Sequence, residues 1–197
     1  GIHIPANDYL AGLRTLCDRN DWLLMLDEIQ SGNGRTGDYF ACLGAGITPD
    51  VLTTAKGLGN GFPIGACLVA GKAEGVFGPG NHGSTYGGNP LGCATALAVV
   101  NTLTDDIIDG VADKGSWLKD AFLQAFSDLP MVTEIRQKGL MLGIQLDRPC
   151  AELVNRARDA GLLINVTAGS VVRLLPPLVI SQTEMQHLVD TLSTLIH

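Results

Sequence analysis

Lys56 stands at the end of the short apolar run Val51-Leu52, after Thr53-Thr54-Ala55, and leads directly into Gly57-Leu58-Gly59-Asn60-Gly61. A lysine at the end of a buried strand is costly unless it is paired or used in chemistry. Glycines lack the Cβ that would keep a ligand from the backbone. A surface lysine beside an ordinary turn is the alternative reading. Upstream, the apolar run Trp22 to Leu26 ends abruptly in Asp27-Glu28. Ligands in open α/β sheets sit at the carboxyl ends of strands, so Asp27 is placed to meet one. Glu28 reads equally well as a carboxylate that caps the next turn. Downstream, Gly80-Asn81-His82-Gly83-Ser84-Thr85-Tyr86-Gly87-Gly88-Asn89-Pro90 offers the hydroxyls of Ser84 and Thr85 just before a helix start signalled by Asn89-Pro90. Such a place suits an anion such as phosphate. His82 has no metal-ligand partner at a useful spacing and reads as structural, so no metal site is expected. Arg173 interrupts Val171-Val172 and Leu174-Leu175. Its charge cannot be lost by deprotonation, so it requires an anion, either a structural partner or a small-molecule carboxylate held by the two-pronged guanidinium.

The elements that must hold these groups are readable from periodicity. Residues 6–20 pattern as an amphipathic helix with Tyr9, Leu10, Leu13, Leu16 and Cys17 on one face. Trp22 to Leu26 patterns as a strand buried on both faces of a parallel sheet. Gln30 opens the polar, glycine-rich loop to Gly37, either a surface turn or a backbone closing over a site. Tyr39 to Leu43 reads as a short helix and Thr48-Pro49-Asp50 as a turn into the strand before Lys56. Pro63 to Ala70 reads as a further buried strand, and Leu91 to Leu103, apolar nearly all round, as a buried helix. From about residue 105 the texture changes to an α+β module. It comprises a charged amphipathic helix from Asp105 to Phe126, antiparallel strands Val132 to Arg136 and Leu140 to Leu146, and a helix from Ala151 to Ala160 stopped by Gly161. Strands Leu162 to Val166 and Val171 to Leu175 follow, then a last helix opened by the capping box Ser181-x-x-Glu184. The expected division is 1–104 and 105–197.

Composition bounds the answer. The 197 residues are 46% hydrophobic and 17% charged, as in a globular α/β protein that can bury a core. A formal charge of −7 and the lack of any basic run argue against a nucleic-acid surface. Cysteines at 17, 42, 67, 93 and 150 are odd in number and never in C-x-x-C pairs, which favours reduced thiols in a cytosolic protein. No apolar run reaches the ~18 residues of a membrane span. Gly1-Ile2-His3-Ile4-Pro5 reads like the inside of a loop, suggesting a processed or truncated chain.

A lysine able to form a Schiff base, a carboxylate able to keep a pyridinium nitrogen protonated and a hydroxyl for a phosphate together describe a pyridoxal phosphate site. Leu26-Asp27-Glu28-Ile29-Gln30-Ser31-Gly32-Asn33-Gly34-Arg35-Thr36-Gly37 and Pro49 to Gly61 resemble the class III aminotransferases of fold type I. Asn81 to Pro90 and Asn165 to Pro177 resemble the same family, specifically its acetylornithine branch, and the match covers essentially the whole chain. The resemblance implies an α/β fold, part of the large pyridoxal-phosphate domain with a mostly parallel sheet, followed by a small C-terminal α+β domain. It implies Lys56 as the Schiff-base lysine, Asp27 as partner of the pyridinium nitrogen and Gln30 near the phenolic oxygen. Thr85, with Ser84 beside it, would reach the phosphate of a neighbouring subunit, so the site would lie at a homodimer interface. Arg173 would bind a substrate carboxylate. The implied reaction moves the δ-amino group of N2-acetylornithine to 2-oxoglutarate, a step of arginine biosynthesis.

The family's chains run to about twice this length, comparable to two or three ordinary domains. The chain therefore resembles the C-terminal half, and the N-terminal half of the same enzyme would be its partner. Buried strands without that half would expose apolar faces. Another ω-amine donor, such as free ornithine, succinylornithine or 4-aminobutyrate, is the nearest alternative. A phosphate- or dinucleotide-binding fragment is a further one, although Phe62 stands where G-x-G-x-x-G requires its last glycine. A purely structural fragment is the last.

Overall fold

The computed structural model describes residues 1–197. The chain divides into two compact units, Pro5–Ile108 and Asp109–His197, the second joined by Gly1–Ile4. The break thus falls inside the first turn of a helix, and the four N-terminal residues go with the later unit.

In the first unit, α1 (Tyr9–Arg19) leads to β1 (Met25–Asp27), α2 (Ala41–Gly44), β2 (Val51–Thr54), β3 (Ala66–Val69) and α3 (Pro90–Thr102). The sheet order is β1-β2-β3. β1 and β2 are parallel, with Leu26 opposite Leu52 and Asp27 opposite Thr53. β3 returns antiparallel to β2, with Thr53 opposite Cys67. The connection from Thr54 to Ala66 is one short 3-10 turn and a loop, too short for the crossover that a parallel neighbour requires.

Several segments patterned for burial are open here, as the sequence implies for strands without the N-terminal half. The strand expected at 22–26 is Met25–Asp27, and Met25 is 65% exposed with Trp22 and Leu23 also open. β1 is a sheet edge, so one flank carries no neighbouring strand. Every residue of β3 is exposed, against the expectation of a buried strand over 63–70. The apolar helix α3 buries only Gly92, and Leu97 is 59% exposed. In α1, Cys17 alone of the expected face is buried. An apolar composition says that a surface prefers burial; a packed neighbour is needed to bury it.

In the second unit, α4 (Asp105–Ala125, beginning in the first unit) is followed by β4 (Val132–Lys138), β5 (Met141–Leu146), α5 (Leu153–Asp159), β6 (Asn165–Thr167), β7 (Val171–Leu174) and α6 (Gln182–Ile196). All ladders of the β4-β5-β7-β6 sheet are antiparallel. The strand expected at 162–166 is displaced to β6. One sheet face, with Leu142, Ile144, Val172 and Leu174, packs with Leu118 and Phe122 of α4 and Leu192 of α6 in a closed core. Gly115 permits the close approach of α4, since a Cβ there would meet the Gly139 carbonyl oxygen at 2.0 Å. Ser181 caps α6 in a reciprocal capping box with Glu184. No single helix is long and apolar enough to cross a membrane.

Candidate active site

β1 and β2 run parallel and leave the sheet at the same end, so their carboxyl termini present Asp27 and, three positions past Thr53, Lys56 on one edge. Asp27 is held by one oxygen. Its Oδ1 accepts from the Ile29 N–H at 3.0 Å and the Thr53 hydroxyl at 3.2 Å. Oδ2 makes no hydrogen bond and is free to accept an N–H from outside the chain, as a pyridinium nitrogen would require. Lys56 is exposed and opens a 3-10 turn over Lys56–Leu58. Its φ is +47°. This conformation costs a non-glycine residue about 1–2 kcal/mol.

That turn is closed by Leu58 N–H to Ala55 O at 3.0 Å, Asn60 N–H to Lys56 O at 3.1 Å and Phe62 N–H to Gly59 O at 2.9 Å. Gly59 is required: a Cβ would stand 2.0 Å from the Phe62 carbonyl oxygen. Lys56, Asn60, Phe62 and Ile64 line an open cavity of about 550 Å³. Asp27 shares the sheet edge with Lys56 but is not among the residues lining this cavity. A larger groove of about 690 Å³, bordered by Trp117, Asp120, Gln186 and Asp190 in the second unit, holds no cation, and its Ser193 and Thr194 hydroxyls donate to the Val189 and Asp190 carbonyls.

Gln30 is half-buried in the turn after β1, on the same edge as Asp27. Ser84 and Thr85 are exposed in the loop before α3, and neither hydroxyl makes a hydrogen bond. The α3 N-terminus is capped by Asn89, whose Oδ1 accepts the Gly92 N–H at 2.7 Å. The first turn of α3 packs on the lysine loop, a Cβ at Gly92 falling 3.2 Å from Phe62 Cε1. His82 is exposed and its ring stacks near Phe77 at 6.3 Å between centroids.

Arg173 belongs to the second unit. It lies between Gly143 and Asn165 in the ladder, half-buried, and its Nε is buried without a hydrogen bond. Arg136, opposite Gly143 on the other flank and therefore on the same face, is paired with Glu134. The anion that Arg173 was expected to need is not supplied by its own unit, which leaves the guanidinium available to an external carboxylate.

Two carboxylates of the first unit are structural. Glu28 is 3% exposed and accepts from the N–H groups of Cys42 at 2.8 Å and Ala41 at 2.9 Å and from the Ser31 hydroxyl at 2.7 Å. It caps α2, the plainer of its two readings. Burial and the neighbouring Glu28 carboxylate push the Cys42 thiol up to about 11. Asp50 accepts from the Leu24 N–H and from Arg14 Nη1, both at 2.8 Å, which hold its carboxyl below the usual range. Sequence reasoning saw only a turn at Asp50. The signal available was an acid directly before an apolar strand, with Arg14 on the preceding helix. Asn33 was also missed as a contact of the lysine loop, although asparagine before glycine marks a backbone able to take positive φ.

The Aminotransferase class-III family profile matches residues 1–196, and the chain belongs to that family. It is 53% identical over its full length to acetylornithine aminotransferase 1 of Bordetella pertussis, covering 50% of that protein. Among solved structures, it matches ornithine aminotransferase from Toxoplasma gondii over 100% of this chain and 48% of that one, with a TM-score of 0.94 and 33% identity. Acetylornithine aminotransferase from Elizabethkingia anophelis matches over 100% and 53%, with a TM-score of 0.92 and 32% identity. The chain spans about half the length of the curated relatives it matches.

Proposed function

We propose that the protein to which this chain belongs is a pyridoxal-phosphate aminotransferase that transfers the δ-amino group of N2-acetylornithine to 2-oxoglutarate. The observation that carries the reading is the placement of Asp27 and Lys56 at the carboxyl ends of two adjacent parallel strands. Pyridoxal phosphate, when bound, supplies an aldehyde that captures amines and a ring that accepts electron density. Asp27 Oδ2 holds the proton on the ring nitrogen, Oδ1 being anchored by Thr53 and Ile29. Lys56 Nζ would hold the cofactor's aldehyde carbon and would carry the proton to and from the carbon bearing the amino group. Gln30 adjoins the phenolic oxygen, Ser84 and Thr85 reach the phosphate of a second copy in a homodimer, and Arg173 takes a substrate carboxylate.

Residues 1–104 belong on this reading to the cofactor-binding large domain and 105–197 to the small C-terminal domain. The N-terminal half of the enzyme and the second subunit cover the open apolar surfaces of β1, β3 and α3. The scattered, free cysteines support a cytoplasmic setting. Free ornithine is the second donor to consider, because an ornithine aminotransferase shares the fold at a TM-score of 0.94. Initial rates with acetylated and free ornithine, 2-oxoglutarate as acceptor, test the assignment: the acetylated donor is expected to give the higher kcat/KM. Preference for free ornithine overturns the donor, and borohydride treatment that leaves Lys56 unmodified overturns the chemistry.

A further inference from the structure

Asn33 lies in the loop between β1 and α2, is only 5% exposed and adopts φ +56°. Its Nδ2 donates to the Thr54 hydroxyl at 2.9 Å and to the Ala55 carbonyl at 3.2 Å, the two residues immediately before Lys56. On the other side of the lysine, Gly57 passes so close that a Cβ would stand 3.1 Å from Asn33 Cβ. One side chain thus bonds the two residues before Lys56, one through its hydroxyl and one through its carbonyl, and lies close to the glycine after it; the φ of Lys56 is +47°. The Ala55 carbonyl also receives the Leu58 N–H, which ties the grip to the 3-10 turn.

Asparagine tolerates the positive φ at this position, and its amide supplies two donated bonds, although its Oδ1 is buried with no hydrogen bond. What the amide adds is direction, because two donated bonds fix where the strand ends and the left-handed turn begins. We infer that Asn33 is a positioning residue for Lys56, clamping the lysine in its strained backbone so that the amine stays at the cavity. The inference rests on the reading of Lys56 as the cofactor lysine.

The test uses the whole protein and three variants. Asn33→Asp keeps the shape and the tolerance for positive φ but replaces the donating nitrogen. Thr54→Val removes one acceptor, and Thr54→Ser keeps it. Without cofactor, Asn33→Asp and Thr54→Val are expected to speed hydrogen exchange of the Leu58, Gly59 and Asn60 amides about ten-fold. The Cys42 amide, held by Glu28, keeps its rate, and Thr54→Ser behaves as the parent. With pyridoxal phosphate added, the first two variants shift the pH midpoint of the visible lysine–cofactor band by about half a unit or more, which a merely structural role would not do. Unchanged exchange and an unchanged midpoint in both overturn the clamp. Faster exchange together with no visible band in the parent protein overturns the cofactor reading, and with it the catalytic sense of the clamp.

Discussion

The unit carrying Lys56 and the unit carrying Arg173 are held together in different ways. In Asp109–His197, Leu118, Phe122, Leu142, Ile144 and Leu192 have no exposed surface, and the sheet closes against two helices. In Pro5–Ile108, β3 and most of α3 are open, yet Glu28, Asn33, Thr36, Asp50 and Thr54, the chain's buried polar residues, all lie there. Hydrocarbon packing defines one unit, whereas directed hydrogen bonds aim the loops of the other. The difference teaches where direction is set: on the proposed reading of Lys56 its amine must point, and directional contacts are what make a short loop point.

Substitutions can break or sharpen that contrast. The largest effect is expected at Lys56→Ala, which on the proposed reading removes the tether and the proton carrier together. Steady-state rates of the whole protein should fall at least ~10²–10⁴-fold, with loss of borohydride-fixed cofactor on the corresponding peptide. Next comes Phe122→Ala in the closed core, expected to cost about 3–5 kcal/mol in denaturant unfolding because the cavity cannot refill. In the polar unit, Glu28→Gln weakens the hold on Ala41, Cys42 and Ser31 and should cost about 1.5–3 kcal/mol in the same measurement.

Acid should act through Asp50. Its carboxyl is held low by the Leu24 N–H and Arg14, so its contribution is present above the unfolded value of about 3.9 and is lost as pH falls through the lower folded value. Asp50→Asn is therefore expected to flatten the fall in melting temperature below about pH 4, and an unchanged acid limb would contradict the assignment. The smallest effect belongs to Leu97→Ala, within about 0.5 kcal/mol in the isolated chain, because that side chain is already open. A loss of several kcal/mol there would show that α3 is packed more tightly than the exposed face implies.

The candidate site residues could be named because their signals are local or lie in long ordered motifs. Asp27 and Lys56 were readable from the way each follows an apolar run, and their shared sheet edge follows from the parallel register. The capping pairs Ser181–Glu184 and Asn89–Gly92 occupy their expected places, since a cap concerns residues three apart. Glu28 was readable only as two alternatives, because the N–H groups it caps lie 13 and 14 positions away. The grip of Asn33 on residues 54 and 55 was not readable at all, spanning 21 and 22 positions.

By itself, the order of residues determined the elements, their caps, the acid and amine at strand ends and the family to which the chain belongs. Tertiary structure alone decided that β3 runs antiparallel, that Glu28 caps a helix and that Asn33 reaches the lysine loop. The reason is range: caps and periodicity act over one or two turns of chain, while burial and side-chain hydrogen bonds between loops depend on which distant segments meet.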